Sequence, residues 1–516
     1  MRKKPEILIF DPGKQVFETR SRRILLAGSW ETALPKTDRL MKLPPEEALR
    51  LLAGYERDGI CVLAEKDAEE NVLELFAYRG PSTGCELFFA SISEGRFVLS
   101  DSFRKTAESL PPESRVPSRE GFLDFLLFQN SPLPETPIAS IRRLGHGDLL
   151  RVDRDGAVDE RPFERLSFRG RAGSFREGVE RIEETLSGAL GRLPNEGTNL
   201  LSGGVDSTLV QVLLGPGYQA AVAAIDSPEF AFETENARRS ASLCGVSLQE
   251  RSLRENDLPD RIERESALAG IPLPLPQVAV IASVFDLKGF FFASGFDADS
   301  LFSLPRPKRR LALDGASLQS FEARSFSLSP EPDLLETLFC REEIADRTAR
   351  REAYVRSRIA EPDLLVELEL GCLTSLYCSS FSVYRHLAAE REKSFFTPFM
   401  DRQVVEAALG LSATERLFRE GVFKPVLKDI LSRRLPSFPE NLEKGGSGLP
   451  RTRLCRQGPL RGFFRKNPLP RFIDAKKADP ILNPTWESSM TTYRCIAWSV
   501  WEQAVKAIPG RRDQWA

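Results

Sequence analysis

Apolar positions in the first 165 residues come in short runs set apart by turn residues: Glu6–Phe10, Gly59–Ala64, Leu73–Tyr78, Glu86–Ala90, Arg96–Ser100 and Asp148–Val152. Short strands at such intervals predict a mainly β, sandwich-like unit. Beyond residue 165 the period changes. Val179, Ile182, Leu186 and Leu190 recur at helical spacing within Phe175–Leu190, and from there apolar strands alternate with helical segments. That alternation predicts a parallel α/β sheet. Its expected strands are Thr198–Leu201, Ala220–Asp226 and Gly289–Ser294. The expected helices are Thr208–Leu214, a segment carrying Ala237, Ala241 and Cys244, and Val278–Phe285. Basic Arg306–Arg310 and the Ser/Phe-rich stretch to Ser329 lack periodicity and read as a surface loop. Helical patterns resume over Leu334–Arg391 and Val404–Leu435, and an aromatic helix is expected around Tyr493–Val505.

Composition then narrows the picture by exclusion. Lys and Arg number 72 against 74 Asp and Glu, a net charge of −2, and the only histidines are His146 and His386. A near-neutral chain gives no electrostatic reason to bind nucleic acid or a membrane surface. Two histidines so far apart argue against a His-rich metal site or a His-dependent triad, and both are expected to be structural. The apolar run Ile7–Phe10 is too short for a signal sequence, and no apolar stretch approaches the ~20 residues a bilayer needs. Eight cysteines lie scattered without a CxxC pair, which predicts reduced thiols and a cytoplasmic location. For 516 residues, about 150 per domain suggests roughly three domains. The change of pattern predicts two instead, 1–165 and 166–516.

Candidate chemistry enters where the strand Thr198–Leu201 runs straight into Ser202-Gly203-Gly204-Val205-Asp206-Ser207 and a helix. Small residues after a strand turn the backbone sharply, so that free N–H groups and the next helix's N-terminus converge on an anion, as in phosphate sites. Ser202 and Ser207 add hydroxyl donors. Asp206 inside an anion site calls for a bridging cation, and Mg²⁺ held between its carboxylate and phosphate oxygens meets that need. The duller alternative is an ordinary strand-to-helix turn.

This loop resembles the pyrophosphate loop of the ATP pyrophosphatases, which cleave ATP to AMP and pyrophosphate while activating a substrate as its adenylate. Further segments narrow the resemblance to the asparagine synthetase-like branch. Ser294-Gly295-Phe296-Asp297-Ala298-Asp299-Ser300-Leu301-Phe302 is similar to its Ser-Gly-x-Gly-Ala-Asp-Glu-Leu-Phe segment. Pro398-Phe399-Met400-Asp401, with Val404-Val405-Glu406, looks like its Pro-Phe-Leu-Asp segment. Lys424 and Lys428 fall where that family has a Lys and an Arg four residues apart, and Lys444-Gly445-Gly446 falls at its late Lys segment. Thr136-Pro137-Ile138 and Ile141–Gly147 resemble the end of its amidotransferase domain. The resemblance therefore implies a degenerate Ntn-amidotransferase-like β-rich domain followed by a PP-loop synthetase domain with C-terminal helices, an α/β fold overall.

Two departures shape the expected reaction. Glutamine-hydrolysing members carry a nucleophilic cysteine directly after the initiator methionine, whereas this chain reads Met1-Arg2-Lys3-Lys4 and its first cysteine is Cys61. Members without that activity include the β-lactam synthetases and the lasso-peptide macrolactam cyclases, which join a carboxylate to an amine already in the substrate. The second departure is Phe296, which stands where asparagine synthetases have Glu and β-lactam synthetases have a Tyr that helps deprotonate the amine. A phenylalanine cannot take a proton. It reads as an apolar wall, with Asp297 and Ser300 as neighbouring polar replacements.

The resemblance implies residue roles, each with a plainer alternative. Asp206 and Asp299 are expected to hold Mg²⁺, although Asp299 also fits a helix N-cap. Ser202, Gly203, Gly204, Val205, Asp206, Ser207, Ser294 and Gly295 are expected to bind ATP and its pyrophosphate. Lys444 and Lys424 are expected to offset charge on the phosphates, although either could be a surface lysine. Phe296, Asp297 and Glu233 are expected at the substrate pocket, although Glu233 also reads as a first-turn helix charge. The implied reaction adenylates a carboxylate with ATP and closes it onto an amine. The favoured expectation is a lasso-type macrolactam from a peptide, with a precursor peptide and its protease as partners. The alternatives are a β-lactam synthetase-like enzyme acting on a small amino-acid derivative, and a non-catalytic scaffold.

Overall fold

The computed structural model describes residues 5–8, 14–92, 96–129, 134–166, 172–303, 332–358, 381–439, 449–466, 468–485 and 488–508. Its first 166 residues build ten strands: β1 (Pro5–Leu8), β2 (Gln15–Glu18), β3 (Arg22–Trp30), β4 (Glu56–Lys66), β5 (Val72–Arg79), β6 (Phe88–Ile92), β7 (Arg96–Ser100), β8 (Arg142–Arg143), β9 (Asp148–Val152) and β10 (Val158–Pro162). They form two sheets, in the orders β1-β7-β6-β8 and β10-β9-β5-β4-β3-β2. Every pairing is antiparallel except β1 with β7.

Period-two alternation explains how the sheets stack. On β4, Ile60, Val62 and Ala64 join Phe89, Phe97 and Leu99 of the facing sheet in one buried cluster. The alternate positions, Cys61 and Leu63, join Leu40, Leu49 and Leu52 of the helices Thr37–Lys42 and Pro45–Ala53 in another. With both faces covered, β4 reads as one continuous apolar run. The second sheet turns Phe88, Ala90 and Val98 the other way, towards the helix Arg119–Phe128. The result is a layered order of helices, sheet, sheet and helices. These short helices are absent from the sequence-based expectation, because six to ten residues between strands carry too little periodicity.

The second half of the chain forms a five-stranded sheet, wholly parallel, in the order β13-β12-β11-β14-β15. Its strands are β11 (Gly197–Leu200), β12 (Tyr218–Asp226), β13 (Leu248–Arg254), β14 (Phe291–Ser294) and β15 (Ser394–Phe396). β13 escapes a hydrophobic reading because it is an edge strand, largely polar and exposed, as edges that avoid mispairing are. β15 has only three residues. The helix expected over Val404–Leu435 is broken: Arg402–Leu409 and Pro425–Arg434 are separated by a short helix, Ala413–Leu417, and by a hairpin of β16 (Phe418–Arg419) and β17 (Val422–Phe423). Glu420 and Gly421 at its tip both have positive φ, which no continuous helix permits. Of the helices expected over Leu334–Arg391, the described residues contain Pro332–Leu338, Arg341–Ser357 and Phe381–Ala389. The loop expected over Arg306–Ser329 lies outside the described residues.

The sheets fall on either side of residue 166, yet one apolar core runs across that point, from Phe88 through Phe122 to Trp498. The Phe122 and Trp498 ring centroids are 4.9 Å apart, which ties the helix Ser489–Lys506 to the first half. Charge reinforces the joint. Carboxylates of the first half meet cations of the second: Asp58 with Arg385 at 2.9 Å, Glu164 with Arg402 at 2.6 Å, and Asp124 with Arg347 Nε at 2.7 Å. His386 Nε2 lies 3.0 Å from Glu86, and buried His146 sits between Arg79 and Tyr354 at 2.9 Å from each. Arg79 only donates, so Nε2 of His146 accepts and its ring is neutral. Burial, with Arg79 next, holds its pKa well below the ordinary value. Among the described residues no helix is long and apolar enough to cross a membrane, and the six described cysteines are unbridged.

Candidate active site

The order of the parallel sheet singles out one place on it. The chain enters at the central strand β11, steps outward to β12 and β13, then crosses back to lay down β14 and β15 on the other side. Open α/β sheets hold ligands beyond the carboxyl ends of the strands where such an order reverses. Here the reversal lies between β11 and β14, whose ends are matched at Leu200 and Ser294. The two segments singled out from sequence, Ser202–Ser207 and Ser294–Phe302, leave these two ends.

Local forces set the shape of the first loop. Gly203 has a φ of 78°, and a β-carbon there would come within 2.4 Å of the Asn236 carbonyl oxygen on the helix Ala231–Leu243. Ser240 Oγ of that helix donates to the Gly203 carbonyl at 3.3 Å. The Ser202 amide and hydroxyl both reach Ser207 Oγ, at 3.2 and 3.1 Å, closing the turn from inside. Gly204 caps the helix Val205–Leu214 without a side-chain bond, so the first-turn amides keep their donors at the positive end of the helix. Among the described residues, a β-carbon on Gly204 would meet only Ser202 Oγ, at 3.6 Å. Val205 is buried in the core, and only its main chain can serve a ligand.

Gly295 brings the second loop against the first. Its position in line with the Asp206–Ser207 backbone leaves no room for a side chain. Asp297 follows in the left-handed region at φ 64°, which aspartate is among the residues to tolerate. Ser300 Oγ donates to Asp297 Oδ1 at 3.4 Å.

Three charges then converge. Lys424 Nζ forms a close ion pair with Asp206 Oδ2 and lies 2.8 Å from Asp299 Oδ1. The lysine side chain is only 4% exposed and that of Asp299 is 64% exposed, so the cluster runs from the interior to the surface. Burial opposes the ammonium, but Asp206 and Asp299 together outweigh it and hold the Lys424 pKa above its ordinary value. Lys424 itself is strained, at φ 55° and ψ 47° directly before Pro425. The other oxygen of Asp206, Oδ1, is buried and has no hydrogen-bond partner among the described residues.

No protein family matches the chain, and neither does any curated protein. The site must therefore speak through its own geometry.

Among the described residues no group of three or more His, Cys, Asp or Glu could hold a metal ion, so a cation here would draw on the Asp206 and Asp299 carboxylates alone. An all-oxygen donor pair with one orphaned carboxylate oxygen fits a hard cation such as Mg²⁺, whose remaining places are filled by water and phosphate. Phe296, expected as an apolar wall, is half-buried and packs against buried aromatic residues of the core. The Phe296 ring stacks on Tyr384 at 4.7 Å and meets Phe395 at 6.1 Å and Phe381 at 6.4 Å. Burial, and Asp297 after it, pushes the Tyr384 phenol up. Thr397 Oγ1 donates to the Phe296 carbonyl at 2.7 Å and fixes the turn. The three-residue spacing of Phe381 and Tyr384 was the available signal, since it puts both on one helix face.

The other expected residues divide. Glu233 is half-buried in the first turn of Ala231–Leu243, the helix that braces Gly203. Asp401 caps Arg402–Leu409 and pairs with Arg192; burial lifts its pKa to about 6. Lys428 is half-buried on the helix after Lys424. Lys444 lies outside the described residues.

Proposed function

We propose that this chain is an AMP-forming amide synthetase of the asparagine synthetase-like PP-loop type, with a degenerate Ntn-type N-terminal domain. It would use ATP and Mg²⁺. The observation that carries the reading is the convergence of Asp206 and Asp299 on one cation, from the two loops that flank the sheet's reversal point. A phosphate chain fits the open, uncapped amides of Val205–Leu214, and bound Mg²⁺ would neutralise charge on the departing pyrophosphate.

The chemistry follows in two steps. A substrate carboxylate oxygen attacks the α-phosphorus of ATP; the bond to the β-phosphate bridging oxygen breaks, and pyrophosphate leaves. The amine nitrogen then attacks the acyl carbon, loses its proton, and expels AMP with the C–O bond. Loop amides and Lys424 serve the first step by binding developing negative charge. In this reading the half-buried Phe296 presents an apolar surface to the substrate, and exclusion of water protects the adenylate. That favours a peptide or amino-acid-derived carboxylate closed onto its own amine, a macrolactam in the expected form, supplied as a precursor peptide cut by a protease. Pyrophosphate-to-ATP exchange with a panel of peptide and amino-acid carboxylates tests the reading; absence of both exchange and ATP binding would instead favour a scaffold.

A further inference from the structure

Asp206 and Asp299 arrive from different loops, and what joins them is an ammonium. Two carboxylates held this close repel each other unless a cation lies between them, and Lys424 fills that role with a nearly buried side chain. Its main chain is pinned between the β16–β17 hairpin and Pro425, at the start of Pro425–Arg434. Only the flexible four-carbon stem is free to move the charge. Resting on the adenylation reading above, we propose that Lys424 is an internal counter-ion that occupies the carboxylates in the nucleotide-free protein, so that a divalent cation is admitted only together with a triphosphate.

The argument is electrostatic. A dication entering beside the ammonium would meet like charge at hydrogen-bond range, in a place where little solvent screens it. Lys424 must therefore leave first. Leaving without a new partner would strand a buried cation, which is strongly unfavourable. A triphosphate at the open amides of Val205–Leu214 supplies the missing partner, because its oxygens accept the ammonium and release Asp206 and Asp299. The orphaned Asp206 Oδ1 marks the side on which the carboxylate still has capacity. Metal and nucleotide then raise each other's affinity by the same factor.

The test measures Mn²⁺ retained with the full-length chain by an ultrafiltration membrane that passes free Mn²⁺ and its complex with nucleotide, with and without a non-hydrolysable ATP analogue. The wild type should hold Mn²⁺ only when the analogue is present. Lys424→Met should bind Mn²⁺ without nucleotide about tenfold more tightly or better, and adding Asp299→Asn should remove that gain. Tight Mn²⁺ binding by the nucleotide-free wild type overturns the counter-ion role while leaving adenylation standing, as does a folded Lys424→Met that gains nothing. If the wild type binds no Mn²⁺ even with the analogue, both readings fall. The two wild-type measurements decide the matter should Lys424→Met not fold.

Discussion

A β-carbon on Gly295 would lie 2.7 Å from the backbone nitrogen of Ser207. The contact joins the two loops that carry Asp206 and Asp299, and it involves backbone on both sides, so no side chain can swing away to relieve it. Gly295→Ala should force the loops apart and cost about 1–3 kcal/mol, as overpacking does. Chemical denaturation would register that loss, and nucleotide binding should fall with it.

Asp206 and Asp299 should separate stability from function. Asp206→Ala leaves the buried Lys424 ammonium with one, largely exposed partner, and should cost about 1–3 kcal/mol of stability. Asp299→Asn, at a mostly exposed carboxylate, should be within about 0.5 kcal/mol of wild type. Both should abolish pyrophosphate exchange. Thermal unfolding alongside exchange distinguishes a site residue from a merely structural one.

Glu56 should write a slope into the pH dependence of stability. It is fully buried, its Oε1 accepts from the Gly59 amide at 2.7 Å, and burial lifts its pKa from 4.5 to about 8 despite Arg402. The folded state therefore keeps a proton that the unfolded chain releases. That stabilisation is complete below pH 4.5 and is lost as pH rises to about 8, at up to about 1.4 kcal/mol per unit. Asp124 and Asp401, raised by burial to about 7 and about 6, act in the same direction. Glu56→Gln should flatten part of the slope in denaturant titrations across this range. An unchanged slope would show that Glu56 titrates normally.

The first 166 residues should be inseparable from the rest. Arg347, Arg385 and Arg402 pair with carboxylates across the joint, Asp124 and Glu135, Asp58, and Glu164 respectively, and Arg402 also pairs with Glu406 on its own helix. Removing one member of a buried pair costs about 3–5 kcal/mol. Arg347→Ala should therefore lower stability on that scale in the full chain. Residues 166–516 expressed alone should fail to give a cooperative unfolding transition by circular dichroism.

Much of this was legible in sequence where one residue type has one physical use. A strand followed by Ser202-Gly203-Gly204 could only turn sharply, and the helical period from Phe175 was strong enough to place Phe175–Gly191 within a residue. Asp206 and Asp299 follow the expected strands Thr198–Leu201 and Gly289–Ser294 along the chain, and in the fold β11 and β14 are paired. What could not be read depends on partners distant in sequence. β13 is polar because it is an edge, and Tyr384 reaches Phe296 only through the fold. Lys424 is expected at the phosphates on the resemblance alone, and nothing local reveals that Asp206 and Asp299 close on it.

The most direct measurement of the central claim is incorporation of labelled pyrophosphate into ATP by the purified protein, given Mg²⁺ and the carboxylate panel. The account predicts carboxylate-dependent exchange in the wild type and none in Asp206→Ala. Exchange that survives Asp206→Ala, or wild-type turnover that yields ADP and phosphate instead of AMP and pyrophosphate, would contradict it.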